Sequence, residues 1–270
     1  MEKIETAYLE LKRMDELADG NSPVHRLHPL SKLLVTIAYV FITASFDKYE
    51  LSGLAVMVLF PLIMYQFSGI SVKTCFVRMR YILILLMAVG IFNPLFDRTP
   101  MLTAGGITVT GGVISMLTLM LKGICCVLMS FLLTATTRMD ALCAALRRVH
   151  VPAELVTLFL MTYRYIALLM EETSVMVTAY KLRAPGERGI KFSAWGSFTG
   201  GLLLRSMDRA SEIYDSMILR GFDGDFHYAA LKKAVIPDFI FSVAAIGLFI
   251  FFKNFNAAEM LGAMITGGGL

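Results

Sequence analysis

Few side chains in this sequence could do chemistry, and most of their spacings exclude a reaction. Four histidines (His25, His28, His150, His227) lie outside the apolar runs and form no H-E-x-x-H pair or cluster. No metal site is therefore expected within those runs. Four cysteines (Cys75, Cys125, Cys126, Cys143) lack C-x-x-C spacing and sit in or beside apolar stretches. They read as small buried hydrophobes in a reducing compartment. No G-x-x-x-x-G-K-[ST] string occurs, so ATP binding through a P-loop is not expected. No nucleophile–base or metal constellation supports a hydrolase. Lys122 is a charge well inside an apolar run, and such a residue is a functional candidate by default. Snorkelling or an interhelical hydrogen bond competes with that role. Two arginines remain, Arg183 and Arg220, each at the end of a long helical pattern.

The elements that carry them belong in a membrane. The 270 residues are 57% hydrophobic and 17% charged, against about 45–50% and 25% for soluble domains. Net charge is +4, and no segment has the look of a nucleic-acid patch. The first 29 residues lack an apolar h-region, so no cleavable signal peptide is expected. Apolar runs at Leu30–Phe46, Leu51–Phe67, Tyr81–Phe96, about Val109–Thr136 and Ile236–Phe252 predict an all-α integral membrane protein with about five transmembrane helices. Ala104-Gly105-Gly106 reads as an external turn and Gly111-Gly112 as close packing. Lys73, Arg78 and Arg80 follow the second run, and Arg138, Arg147 and Arg148 follow the fourth. The positive-inside rule then places the N-terminus, the 68–80 loop and everything from Arg138 to Lys233 on the cytoplasmic side, with the tail from Lys253 outside. The chain divides into an N-terminal amphipathic segment (1–29), four spans (30–136), a cytoplasmic region (137–235), and a final span with its tail (236–270).

The segment Leu155–Met170 is apolar enough to be a span and could cross as a hairpin with Phe192–Leu204. Two long helices at the cytoplasmic interface fit the charge pattern better, and labelling at position 187 separates the two. Near the N-terminus, Ile4, Tyr8, Leu11, Met14 and Ala18 recur at helical spacing before Asp19-Gly20-Asn21-Ser22-Pro23. That amphipathic helix suits either a membrane surface or a partner.

Pro152 opens the first cytoplasmic helix, with Glu154 at its positive end. The pattern runs to Arg183, about 48 Å at 1.5 Å per residue, and Pro185 forces Ala184 out of it. A second helix is predicted over Phe192–Arg220, with Gly221 as its C′ residue. Leu203, Met207, Ala210, Tyr214 and Met217 form an a/d-like stripe for packing on another helix. Arg205 and Arg209 each have an acid three residues on, Asp208 and Glu212. Arg183 and Arg220 have two readings. They are dipole-stabilising cations at helix C-termini, or they enter a groove on another protein.

Several strings resemble the CbiQ/EcfT family, the transmembrane coupling subunits of energy-coupling-factor (ECF) importers. They are Pro23-Val24-His25-Arg26-Leu27-His28-Pro29-Leu30-Ser31-Lys32-Leu33-Leu34, Asn93-Pro94-Leu95-Phe96, Thr136-Thr137, the stretch from Leu142 to Pro152, and Tyr163-Arg164-Tyr165-Ile166. Lys181-Leu182-Arg183-Ala184 and Met217-Ile218-Leu219-Arg220-Gly221-Phe222-Asp223-Gly224 resemble the family's two arginine motifs, with Leu182 and Leu219 where the family often has Ala. The resemblance implies a non-catalytic subunit of a four-part importer in the cell membrane. Two ABC-type ATPases would dock on Leu182, Arg183 and Ala184 and on Leu219, Arg220 and Gly221. A small substrate-binding membrane subunit (the S component) would carry a vitamin or a transition-metal ion such as cobalt or nickel. ATP would be bound by the partners, with no cofactor in this chain. The Leu203/Met207/Ala210/Tyr214/Met217 stripe would join the two cytoplasmic helices, which together form an arm, or grip the S component. A free-standing channel or secondary carrier is the alternative, disfavoured by the lack of paired intramembrane charges and of a visible inverted repeat.

Overall fold

Prolines set where the helices of this protein start and break. Pro23 opens α2 (Pro23–Arg26) and Pro29 opens α3 (Pro29–Ala44), where a missing N–H costs nothing. Ser22 and His28 cap them. Ser22 Oγ accepts from His25 N at 3.4 Å, and His28 Nδ1 accepts from Leu30 N at 3.1 Å. The computed structural model describes residues 2–96, 100–104, 107–186, 189–224 and 236–254. Its other elements are α1 (Glu2–Ala18), α4 (Leu51–Met57), α5 (Leu59–Ser68), α6 (Val72–Gly90), α7 (Phe92–Phe96), β1 (Pro100–Ala104), β2 (Ile107–Thr110), α8 (Gly111–Thr136), α9 (Met139–Arg148), α10 (Ala153–Arg183), α11 (Phe192–Leu219) and α12 (Ile236–Asn254). They fall into two units. One holds residues 18–137 and 232–270, and the other holds 1–17 and 138–231.

The first unit, which holds α3 to α8 and α12, is called the membrane unit. Its second predicted span is two helices, α4 and α5, hinged at Val58. Pro61 is the cause: it has no N–H for the Met57 carbonyl four residues back, and its ring crowds that oxygen. Tyr39 Oη donates to Met57 O at 2.9 Å and fills the vacancy. Pro94 stands in the same relation to Gly90, where α6 ends and α7 follows. Tyr39 then packs with Phe60 and Phe249, ring centroids 4.6–5.9 Å apart, joining α3, α5 and α12. Tyr65 Oη donates to Leu128 O at 3.1 Å, tying α5 to α8. Gly123 of α8 lies against Leu86 of α6, so close that a Cβ there would stand 2.3 Å from Leu86 Cδ1.

Two lysines fasten α3 to α8 from opposite ends. Lys32 Nζ donates to Thr136 O, the last residue of α8, at 2.6 Å. Lys122 Nζ donates to Ala44 O at 3.3 Å and to Phe46 O, at the end of α3. Each cation meets a helix C-terminus, where carbonyls lack intrahelical donors and the dipole is negative.

α8, α10 and α12 are long and apolar enough to cross a membrane, and residues 29–44, 53–68 and 80–94 form shorter apolar helices. The all-α membrane class is as expected, with three differences. The fourth span begins at Gly111, because Ile107–Thr110 is β-branched and pairs antiparallel with β1, Ala104 opposite Ile107. Gly111 and Gly112 are buried in the helix start, while Gly105 and Gly106 lie outside the described residues. The third apolar helix starts early, at Val72, and so includes basic Lys73, Arg78 and Arg80. Finally, α10 has the length and apolarity of a span, although charge patterning assigns it to the interface.

In the second unit, α9 ends in a reversal that launches α10. His150 adopts φ 68°, its N–H bonds Arg147 O at 3.2 Å, and Val151 N bonds Leu146 O at 3.3 Å. This is a Schellman cap with histidine in the left-handed position. Cys143, Val156 and Leu160 pack beneath it with Leu146 and Val151. Burial, with the Asp140 charge adding, pushes the Cys143 thiol up, so it is an inert packing residue. Tyr163 Oη donates to Asp15 Oδ1 at 2.6 Å, linking α10 to α1.

Candidate functional site: the two arginine tips

α10 and α11 form an antiparallel pair. Lys191 N donates to the Tyr180 hydroxyl at 3.2 Å across the turn, Gly201 lies beside Met176, and Arg205 pairs with Glu172. As numbers fall along α10 they rise along α11. Gly186 (φ 100°) and Gly189 (φ 99°) supply left-handed backbone in the connection. Farther along, Leu168, Leu169, Ser206, Asp208 and Glu212 line an open groove of about 220 Å³. Arg209 reaches Glu212 at 3.6 Å, as its spacing suggests, but Arg205 crosses to α10.

Arg183 is the last residue of α10. Ala184 leaves the helix at φ −126°, ψ 65°, its N–H still bonded to Tyr180 O at 3.0 Å. Arg220 is the C-cap of α11, and the reversal behind it is complete. Gly221 (φ 83°) donates to Ile218 O at 2.9 Å, and Phe222 donates to Met217 O at 3.0 Å. This is again a Schellman motif, here with glycine at C′. Both arginines are exposed. So are their preceding leucines, Leu182 at 78% and Leu219 at 88%. Because α11 has 28 residues and starts beside the end of α10, the tips are separated by roughly 40 Å at 1.5 Å rise per residue.

No residue of α11 is buried. Leu203, Met207, Ala210 and Tyr214 are exposed and Met217 is half-buried. Within the chain the arm helices meet through Tyr180, Met176, Glu172 and the groove, and the stripe stays open. Trp195 and Phe192 extend the exposed apolar surface toward the turn. Exposed apolar faces of this kind meet either a protein partner or lipid. Sequence reasoning missed Tyr180 and Glu172; their partners are set by helix pairing, which no local spacing reveals. His25 shares a 2.6 Å hydrogen bond with Ser22, His28 caps α3, His150 holds the α9 reversal, and His227 lies outside the described residues. No group of three or more metal-ligating side chains occurs among the described residues.

Apolar helices of membrane length, in a chain that also carries a helix pair with two arginine-tipped ends, define a multi-helix membrane protein. Residues 20–228 match the family described as "Cobalt transport protein", CbiQ, and the chain belongs to that family. It is similar to the "Energy-coupling factor transporter transmembrane protein EcfT" of Leuconostoc gelidum subsp. gasicomitatum, at 27% identity over 75% of this chain and 81% of the relative. The protein of that name from Lactococcus lactis subsp. cremoris is 29% identical over 81% of this chain and 88% of its own. The "Cobalt transport protein CbiQ" of Rhodobacter capsulatus is 35% identical over 39% of this chain and 43% of its own. The protein is thus a transmembrane component of the ECF transporter class.

Proposed function

We propose that this chain couples two cytoplasmic ABC-type ATPases to a small substrate-binding membrane subunit for uptake of a vitamin or a transition-metal ion such as cobalt or nickel. The observation that carries the proposal is the pair of exposed arginine tips at opposite ends of α10–α11, each with an exposed leucine before it. A surface arginine beside an apolar side chain suits a protein groove: the guanidinium finds carboxylates or carbonyls, and the leucine gains burial. The ATPases bind and hydrolyse ATP, and this chain transmits their motion. Leu182, Arg183 and Ala184 meet one ATPase; Leu219, Arg220 and Gly221 meet the other. The open Leu203/Met207/Ala210/Tyr214/Met217 face of α11 receives the substrate-binding subunit.

The N-terminus and the 138–233 region face the cytoplasm on this reading, because Arg138, Arg147 and Arg148 follow α8 directly. Tandem-affinity purification in mild detergent tests the proposal. ATPases and one small apolar membrane protein should co-purify with the wild-type chain; a chain that purifies alone and conducts substrate by itself in liposomes would sink it.

A further inference from the structure

The membrane unit contains a buried polar node that the docking tips do not explain. The 138–231 segment leaves the membrane unit after α8 and rejoins it before α12. Both junctions end on the first turn of α3. Lys32, 7% exposed, donates to Thr136 O at 2.6 Å on the outgoing side and to His25 O at 3.1 Å. Asp238, 9% exposed in the first turn of α12, accepts from His28 N at 3.1 Å on the returning side. The Asp238 carboxylate also acts electrostatically on the Lys32 ammonium, so the apolar helices carry a pair of opposite buried charges, contrary to the expectation from sequence. Thr136 and His28 are themselves buried.

Burying an ammonium and a carboxylate is costly unless each is paired and hydrogen-bonded. If capping α8 were the only need, the Thr136 carbonyl could be satisfied more cheaply by a neutral donor. A lysine reaches further, to carbonyls of two separate segments, and its charge is attracted toward Asp238 on a third. Removing one partner leaves the other buried charge without its opposite.

We propose that Lys32 and Asp238 are positioning residues that clamp both junctions of the 138–231 segment to α3, so that the two junctions move as one body. The transport consequence rests on the coupling role proposed above: motion of the arm would reach the membrane helices undivided.

Hydrogen exchange on the full chain in nanodiscs tests the clamp itself. Lys32→Met removes the bond to Thr136 and should also speed exchange of the His28 amide, which Lys32 does not bond, by about tenfold or more. Asp238→Asn should likewise speed exchange in the last turn of α8, which Asp238 does not bond. Amides of α5 and α6 should keep their wild-type rates in both. Asp238→Asn is isosteric and carries the test alone if Lys32→Met fails to fold. Acceleration confined to each variant's own junction would overturn the clamp. A second arm uses the complex purified with its ATPases, with MgATP and vanadate as probe. In the wild type, exchange should change at both junctions together; in Asp238→Asn it should change at one only. If the wild-type chain recruits no ATPase, the coupling role fails while the nanodisc result still decides the clamp.

Discussion

Arg183 and Arg220 lie at opposite ends of one antiparallel helix pair, roughly 40 Å apart by helix rise. Two tips that far apart cannot enter a single groove, so the proposed coupling role requires two docking sites. Substitutions more than about 10 Å apart with no shared partner add in free energy. Arg183→Ala and Arg220→Ala should each weaken ATPase binding by about 2–5 kcal/mol, the range for a hydrogen-bonded interface charge. Their effects should sum, as measured by titrating purified ATPase against each variant. A large coupling energy between them would mean one shared site.

Gly221 holds the left-handed C′ position behind Arg220. A side chain in that conformation costs about 1–2 kcal/mol. Gly221→Ala should lower thermal stability by that order, while Gly221→Asn should cost less, because Asn visits the region more readily. Equal losses from the two would show that backbone conformation is not the constraint.

Tyr39 and Pro61 are linked through an oxygen that neither owns, the carbonyl of Met57. Tyr39→Phe strands that buried acceptor, at about 1–3 kcal/mol. Pro61→Ala restores an N–H four residues on. The double variant should therefore lose less than the sum of the singles, read by thermal unfolding in detergent. Strict additivity would show that the hydroxyl does not serve the proline kink.

α10 and α11 should face the cytoplasm. Ser193, exposed in the first turn of α11, becomes a reporter as Ser193→Cys. A membrane-impermeant maleimide should label it in inside-out vesicles and spare it in right-side-out ones. The buried Cys143 should stay unlabelled in both. Labelling of Ser193→Cys from outside only would mean that α10 crosses the membrane, as its length and apolarity allow.

The helices were legible in the sequence wherever a local rule set them. Pro185 stopped α10 at Arg183, and Gly221 stopped α11 at Arg220, because helix termination is decided within a few residues. The apolar runs gave α3, α8 and α12 for the same reason. What escaped was relational. The apolar run Leu51–Phe67 reads as one span, but Pro61 breaks it, and the compensation by Tyr39 depends on how α3 packs against α4. Lys122 is open in the sequence between a functional role and snorkelling or an interhelical hydrogen bond, and its partners are carbonyls 76 and 78 residues away. Lys32 lay within a motif, yet nothing near it in the chain indicated Thr136 or Asp238. Hydropathy alone puts Val109 and Thr110, the end of β2, into the fourth span, because it does not separate a β-branched strand end from a helix start.

The central claim is that the two arginine tips dock ATPases. The most direct measurement is co-purification from membranes expressing the whole complex, comparing wild type with Arg183→Glu/Arg220→Glu at equal chain abundance. ATPases should be recovered with the wild type and lost from the double variant, with uptake abolished while the membrane unit keeps its thermal stability. Full ATPase recovery and full uptake in the double variant would contradict the claim.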